Sequence, residues 1–143
     1  MEAGKIKAKA MCVILRDDRE VLVGIGKDEV RGITFGRILG GTIEFGETAE
    51  VALRREFQEE LGSDLKNVSF VKLIENIFTY RGEPGHEIVF LYRGELADKE
   101  LYTKEKIKIV DGKEFFAEWV LLSDVKNGKI KLYPPFAYET LVG

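Results

Sequence analysis

Apolar and polar positions divide the first part of the chain into three runs typical of β-strands. The segments KIKAKAMCVIL and REVLVGIG are rich in strand-forming residues and flank the polar turn RDD, which predicts a β-hairpin. A shorter apolar run, ITFGRIL, leads into Gly40 and Gly41 and predicts a third strand. The period of the pattern changes beyond these glycines.

After Thr48 the apolar positions follow the period of an α-helix. Three of them recur at every fourth position and form a stripe along one face: Leu53, Phe57 and Leu61. Thr48 is a favourable N-cap, and Gly62 is a favourable residue just past the end. The sequence therefore predicts a helix over residues 49–61 that packs through this stripe.

The second half of the chain returns to strand patterns. VSFVKLIENIFTY and HEIVFLYRGEL are joined by RGEPG, and EFFAEWVLL forms another β-rich run. Ser123 is predicted to cap a short helical turn, and PPFAYETLV is predicted to be a closing helix that starts at a proline. Because strands and helices alternate irregularly, we expect an α/β (α+β) fold with a mixed sheet covered by helices, rather than a regular βαβ array.

Composition limits the classes of function. A chain of 143 residues with 45% hydrophobic content is expected to form a single domain, residues 1–143. The net charge of -3 provides no basic field for a nucleic acid polymer and no polybasic segment for a membrane surface. No secretory pattern or membrane-spanning run is present, so we expect a cytoplasmic protein. The single cysteine, Cys12, lies in an apolar run and is expected to be buried and unreactive.

The predicted helix carries an unusual group of carboxylates. Three glutamates point to one side of it: Glu56, Glu59 and Glu60. One interpretation is a solvated acidic face on which Arg55 pairs with Glu59. The other is a site for a hard cation, because Mg²⁺ and Mn²⁺ prefer oxygen ligands and Mg²⁺ leaves positions for water and substrate phosphate. The preceding glycines, which allow close backbone approach, and Glu47 beside the cap favour the second interpretation.

This segment resembles the Nudix box. In that motif a glycine is followed by a glutamate, and then by the series Arg-Glu-apolar-any-Glu-Glu-any-Gly-apolar. Gly41 and Glu47 occupy the first two positions, and REFQEELGS from Arg55 to Ser63 follows at the spacing of the motif. Two positions depart from the common pattern, since Ser63 replaces an apolar residue and Leu39 stands where many relatives have proline. Neither is a carboxylate position, so they concern local packing and not the chemistry.

The resemblance implies an α/β/α sandwich that hydrolyses a nucleoside diphosphate linked to another group, with Mg²⁺ or Mn²⁺ and with water attacking phosphorus. It assigns the metal to three carboxylates and one backbone carbonyl: Glu56, Glu59, Glu60 and Gly40. Arg55 would pair with Glu47 and orient the cluster. The general base would be Glu56, Glu59 or a glutamate from a later loop.

Some relatives supply a further metal ligand from a later loop, ahead of a Glu-Trp pair. Glu114, five residues before Trp119, stands close to that position and is the predicted ligand. Glu118 is the less favoured alternative, because its neighbours have a strand pattern. Either residue could instead be an ordinary exposed acid.

Substrate selection must come from other side chains. The candidates for base stacking are Phe35, Phe78, Tyr80 and Phe136, each of which could instead be part of the core. Arg37 and Glu87 are candidates for the phosphate or sugar side. Tyr80 falls where a tyrosine occurs in relatives that act on dinucleoside polyphosphates, and the proline typical of ADP-ribose enzymes is absent there. His86, with no second histidine nearby, predicts no zinc site.

Two functions remain open at the level of sequence. The favoured one is a pyrophosphohydrolase whose substrate is a dinucleoside polyphosphate, a modified nucleoside triphosphate or a nucleotide sugar. The alternative is a Nudix sensor module that binds a nucleotide without cleaving it. Retention of all three box glutamates favours the enzyme. We expect a small-molecule nucleotide as partner, and a homodimer is the base-rate expectation for a soluble oligomer.

Overall fold

The computed structural model describes residues 4–110 and 114–135, with the backbone alone at 110, 114 and 115. In chain order its elements are β1 (Ile6–Arg16), β2 (Glu20–Asp28), β3 (Ile33–Thr42), α1 (Ala49–Leu61), β4 (Leu65–Tyr80), β5 (Glu83–Leu96), a 3₁₀-helix (Lys99–Thr103), β6 (Lys106–Val110), β7 (Glu114–Leu121), α2 (Leu122–Lys126) and β8 (Lys131–Tyr133). No described helix is long and apolar enough to cross a membrane.

The strands form one mixed sheet in the order β4-β5-β1-β3-β2-β7-β6, and β8 pairs with β3. β1 runs parallel to β5 and antiparallel to β3. β3 joins the two parts of the sheet, because its residues 33–38 pair with β2 whereas its residues 39–42 pair with β1. The predicted hairpin of β1 and β2 is present and pairs Leu15 with Val21.

Alternation along β1 divides the core between the two faces of the sheet. Ala10, Cys12 and Ile14 belong to the cluster that contains the helix residues Leu53 and Phe57. Met11 and Val13 point to the other side, into a cluster that also contains Leu122 of α2. Helices therefore pack on both faces of a mixed sheet, which confirms the expected fold class.

α1 has the predicted bounds and the predicted caps. The Oγ1 of Thr48 accepts a hydrogen bond from the Val51 backbone N–H at 3.2 Å, and Gly62 ends the helix with a φ of 66°. Leu53 and Phe57 are fully buried, and Leu61 is packed at the margin of the same cluster. The helix lies against β1, β3 and β6, and the carboxylate of Glu56 lies against Gly41 of β3.

The two departures from the common motif are accommodated by local packing. Ser63 is buried, its Oγ accepts a hydrogen bond from the Asp98 backbone N–H at 3.0 Å, and its hydroxyl donates to the Asp64 carbonyl. Leu65, two residues later, supplies the missing apolar side chain to the core. Leu39 is buried and pairs with Cys12, at a place where β3 is a regular strand.

Several predicted boundaries were wrong. The loop between β4 and β5 contains only Arg81 and Gly82, whose φ values of 52° and 83° are those of a tight hairpin turn, so the strands extend further than RGEPG indicated. α2 begins at Leu122 with Leu121 at the N-cap position, so Ser123 lies inside the helix and does not cap it.

Two short strands, β6 and β8, and the 3₁₀-helix were not predicted. β6 has the sequence KIKIV, and its buried isoleucines, Ile107 and Ile109, carry the alternating signal that identifies it. The predicted closing helix falls almost wholly on residues 136–143, outside the described residues, and the described residues Pro134 and Pro135 are not helical. The predicted strand EFFAEWVLL is present as β7.

Candidate active site

The two glycines of the motif lie inside β3 and not in a loop. Gly40 pairs with Met11 and Gly41 with Ala10 of β1. A Cβ at Gly40, whose φ is 154°, would overlap the backbone of Ala10 and Met11. A Cβ at Gly41 would overlap the carboxylate of Glu56. The absence of a side chain at Gly41 thus allows a helix carboxylate to lie directly on the strand.

Arg55 links the end of β3, the connecting loop and α1. Its Nε and Nη2 donate to the two carboxylate oxygens of Glu47 at 2.7 and 2.9 Å, and Nη2 also donates to the Thr42 carbonyl at 3.1 Å. Glu47 accepts a further hydrogen bond from the Glu44 N–H. These bonds, first among them those from Arg55, lower the pKa of Glu47 to about 2, and the bond to Glu47 raises the pKa of Arg55. The pairing expected between Arg55 and Glu47 is present.

The remaining guanidinium nitrogen of Arg55 contacts two of the predicted metal ligands. Nη1 lies 3.1 Å from Oε1 of Glu56 and 3.3 Å from Oε2 of Glu59. The side chain of Glu56 is 17% exposed, whereas that of Glu59 is 58% exposed. The first carboxylate is thus confined between Gly41 and Arg55, while the second has room to change its rotamer. Glu60 follows on the same helix and is half-buried.

The donor set fits a hard divalent cation in its chemistry, since every candidate side chain is a carboxylate and that of Glu56 lies against Gly41. Within residues 4–110 and 114–135, however, no three acidic, histidine or cysteine side chains come together closely enough to enclose a metal. In this structure the carboxylates of Glu56 and Glu59 both pair with Arg55.

The two candidates for a later metal ligand lie on β7. Glu114 is its first residue and pairs with Val110, so its backbone is in a strand and not in the expected loop. Its side chain is outside the described part of the structure. Glu118 pairs with Val23 of β2 and Lys106 of β6, and it is half-buried. Their roles stay predictions.

A cleft of about 710 Å³ lies between the β4–β5 hairpin and the β2–β3 hairpin. It brings together four of the residues predicted to contact substrate: Phe35, Arg37, Phe78 and Tyr80. The ring of Phe35 contacts Tyr80 edge-on at 6.0 Å and Tyr133 at 4.9 Å. The Arg81 guanidinium lies 5.0 Å above the Tyr80 ring, and Arg31 also lines the cleft. The cleft therefore has aromatic walls and a cationic rim.

Asp28, a residue not predicted from the sequence, anchors this rim. It is fully buried and accepts hydrogen bonds from the Arg81 N–H at 3.0 Å and from the Arg31 N–H and Nε, each at 3.1 Å. These bonds, that from the Arg81 N–H first among them, lower its pKa. One carboxylate thus joins the β2–β3 turn to the β4–β5 turn, 53 residues away in sequence. Its only sequence signal is an acid at the end of a strand.

The cleft and the carboxylate cluster are neighbours. Lys9 of β1 lies 3.9 Å from Glu87, which lines the cleft. Burial lowers the pKa of Lys9, whereas the negative charges of Glu87 and Glu56 raise it and the positive charge of Arg37 lowers it. Met11 of β1 also lines the cleft and pairs with Gly40, next to the glycine that lies against Glu56, so the cleft adjoins the carboxylate cluster.

Three other side chains identified from the sequence lie elsewhere. His86 is within β5, between Ile6 of β1 and Ile77 of β4, and does not open the strand. Phe136 is outside the described residues. Cys12 is buried as expected, and burial raises the pKa of its thiol to about 12, which disfavours the reactive thiolate.

The chain resembles known proteins both in sequence family and in fold. The family model of the NUDIX domain matches residues 5–141. A NUDIX hydrolase from Nitrosomonas europaea is 18% identical, with a TM-score of 0.65 over 96% of this chain and 86% of that one. A MutT NUDIX hydrolase from Burkholderia pseudomallei is 22% identical, with a TM-score of 0.56 over 95% and 93%. A MutT protein from Bacillus halodurans is 19% identical, with a TM-score of 0.57 over 85% and 72%.

Proposed function

The chain belongs to the NUDIX family of hydrolases, and we propose that it hydrolyses the pyrophosphate linkage of a nucleotide with the help of Mg²⁺ or Mn²⁺. The substrate is a nucleoside diphosphate joined to another group: a nucleoside triphosphate, a dinucleoside polyphosphate or a nucleotide sugar. The observation that carries the proposal is the seating of the Glu56 carboxylate between Gly41 and the Arg55 guanidinium, which Glu47 holds in place.

The proposed metal ligands are the carboxylates of Glu56, Glu59 and Glu60 and the carbonyl of Gly40, with Glu114 as a further ligand. When bound, a divalent cation supplies Lewis-acid stabilisation of phosphate charge and lowers the pKa of a bound water. The chain contributes a fixed position for Glu56, because a bidentate Arg55–Glu47 pair lies against it. Arg55 also offsets the mutual repulsion of these carboxylates in the absence of a cation.

The chemical step needs a group that accepts a proton from water. Glu56 and Glu59 are the proposed bases, and Glu59 has more freedom to turn, since its side chain is 58% exposed. The water attacks phosphorus directly, so no side chain forms a covalent bond to the substrate. Arg55 and Glu47 act as positioning residues in this scheme.

The adjoining cleft supports a nucleotide as substrate. Its aromatic walls suit a base, and its rim of arginines suits anionic or polar groups. Arg37 of β3 lies in the cleft three residues before Gly40, so it is proposed to contact the substrate between base and diphosphate. Phe35, Phe78 and Tyr80 are proposed to contact the base or sugar. A single domain over residues 1–143, a cytoplasmic location and a homodimer remain predictions.

The test is hydrolysis of a nucleotide panel with and without Mg²⁺ or Mn²⁺, comparing the unmodified protein with Glu59→Gln. The panel contains canonical and oxidised nucleoside triphosphates, dinucleoside polyphosphates, ADP-ribose and other nucleotide sugars. We expect turnover of one class that depends on the metal and falls at least about tenfold in Glu59→Gln. Near-normal turnover by that variant would contradict the assignment of the box glutamates.

Glu50→Gln is the matched control, because Glu50 lies on the same helix but pairs with Arg54 outside the cluster. It should retain full turnover. Thermal unfolding of both variants separates loss of chemistry from loss of fold. If the whole panel is inert while a nucleotide raises the melting temperature, the chain is a sensor module and the hydrolase proposal is wrong.

A further inference from the structure

Two buried polar side chains lie next to each other in the cleft, and neither belongs to the carboxylate cluster. Asn76 of β4 and Glu87 of β5 are directly opposed in the antiparallel ladder. Asn76 is 7% exposed and Glu87 is 5% exposed, and both line the cleft. Directly opposed side chains have Cβ atoms about 5 Å apart, so their polar groups are presented together.

The side-chain amide of Asn76 has no hydrogen-bond partner among the described residues. Its amide forms no hydrogen bond with any residue in 4–110 or 114–135, although an uncompensated buried amide is unfavourable. It is not enclosed by protein either, because the side chain lines the open volume of the cleft. The amide therefore offers a donor and an acceptor to a bound molecule.

Glu87 has a neighbouring charge but keeps its hydrogen-bonding capacity. Its nearest cation is the Nζ of Lys9 at 3.9 Å, which is too long for a hydrogen bond and short enough to offset the charge. An ionised carboxylate accepts hydrogen bonds and donates none. The floor of the cleft thus presents a pair of acceptors on Glu87 beside an amide on Asn76.

We propose that Asn76 and Glu87 determine base specificity by binding a ring edge that has two adjacent N–H donors next to a carbonyl, as on the Watson–Crick edge of guanine. The N1–H and the 2-amino group donate to the two oxygens of Glu87, and the Asn76 amide donates to the 6-carbonyl. This inference rests on the proposed function, since it assumes a nucleotide in the cleft.

Other bases match this pair less well. Adenine and cytosine each have one amino group beside a ring acceptor, which would face a carboxylate oxygen unfavourably, and uracil has one N–H between two carbonyls. Hypoxanthine differs from guanine only in lacking the 2-amino group, so it leaves one buried carboxylate oxygen unpaired. Sites built to bind a donor reject analogues that lack it, because the polar group of the protein is left without a partner.

The experiment measures binding of GMP, IMP and AMP by calorimetry in the absence of metal. Monophosphates contain no anhydride bond, so binding is read independently of hydrolysis. We expect GMP to bind about tenfold or more tightly than IMP, and more tightly than AMP. Glu87→Gln should bring the GMP-to-IMP ratio close to one. Asn76→Leu should weaken GMP and IMP alike and preserve their ratio, because both carry the 6-carbonyl.

Glu75→Gln is the control, since Glu75 is exposed on the neighbouring position of β4 and is not part of the cleft. It should leave all three affinities unchanged. If Glu87→Gln does not fold, the affinities of the unmodified protein still decide. Equal binding of GMP, IMP and AMP overturns the inference, and so does discrimination between GMP and its 2′-deoxy form without base preference, which would place a sugar hydroxyl on Glu87.

Failure of this inference can be distinguished from failure of the proposed function. Metal-dependent hydrolysis of nucleotides with no preference for guanine in binding would retain the enzyme and reject the role of the pair. A guanine preference in binding, lost in Glu87→Gln, without hydrolysis of any nucleotide would support the pair and reject the enzyme. Absence of both would reject both.

Discussion

Arg55 and Glu47 form a bidentate ion pair, with Nε to Oε2 at 2.7 Å and Nη2 to Oε1 at 2.9 Å. The pair connects the first turns of α1 to the loop that precedes it, across eight residues of sequence. It also leaves Nη1 free to contact Glu56 and Glu59. A planar group bonded on both edges has one orientation, so the guanidinium of Arg55 holds the neighbouring carboxylates in place.

Replacement of Arg55 by lysine tests this positioning role of the guanidinium. The ammonium group keeps the charge but cannot bond Glu47 in a bidentate manner while contacting Glu56. We expect kcat/KM for the preferred nucleotide to fall roughly 10- to 100-fold in Arg55→Lys, as for other residues that orient metal ligands. Arg54→Lys, which alters the neighbouring pairs with Glu50 and Asp64, should remain close to the unmodified rate. An unchanged rate in Arg55→Lys would contradict the positioning role.

The lowered pKa of Glu47 predicts a specific dependence of stability on pH. Folding lowers this pKa from 4.5 to about 2. A carboxyl with a lowered pKa contributes stability that is fully present above the higher value and is lost as the pH falls towards the lower one. In urea unfolding, the unmodified protein should exceed Glu47→Gln in stability at pH 7, and the difference should shrink between pH 4.5 and about 2. Glu83→Gln, at an exposed position, serves as the control; a pH-independent difference for Glu47→Gln would contradict the prediction.

The adjacent glycines should respond differently to alanine. At Gly41 the new Cβ meets the end of the flexible Glu56 side chain, so the carboxylate moves and the fold is kept. Gly41→Ala should change unfolding free energy by less than about 1 kcal/mol and reduce kcat/KM by up to about a hundredfold. At Gly40 the Cβ meets the backbone of β1, so Gly40→Ala should cost roughly 1–3 kcal/mol. Equal loss of stability in both variants would refute this distinction.

Asp28 is expected to stabilise the cleft through its three hydrogen bonds. Asp28→Asn replaces one acceptor oxygen by an amino group that faces the donors of Arg31 and Arg81, so we expect a lower midpoint of urea unfolding. Glu29→Gln removes only an exposed pair with Arg81 at 3.8 Å, so it should leave the midpoint unchanged. The same midpoint in Asp28→Asn and the unmodified protein would show that the two turns do not depend on this carboxylate.

Elements governed by local interactions were predicted well. α1 begins after Thr48 and ends before Gly62 as expected, because cap chemistry and a four-residue apolar repeat act within the segment itself. The β4–β5 turn was predicted too long, because Glu83 and Pro84 have turn-like composition but pair across the hairpin with Tyr80 and Thr79. Strand pairing outweighed local preference there.

The cleft was only partly predictable. Phe35, Arg37, Phe78 and Tyr80 were chosen by residue type and position, and the structure brings all four into one cavity. Asn76 was not predicted to contact substrate, since a single asparagine in a β-rich run does not indicate a binding role. Its importance depends on the ladder that opposes it to Glu87 and on the burial of both side chains.

Sequence alone is enough to recognise the family, the helix with its carboxylates and the two glycines, because these depend on residue types at fixed spacing along one segment. Three other relationships are evident only in the folded chain: Gly41 lies under Glu56, Asp28 joins two distant turns, and Asn76 lies beside Glu87. Each of these contacts requires a particular register between strands, and register is set by burial of whole faces of the sheet and not by the residues in contact.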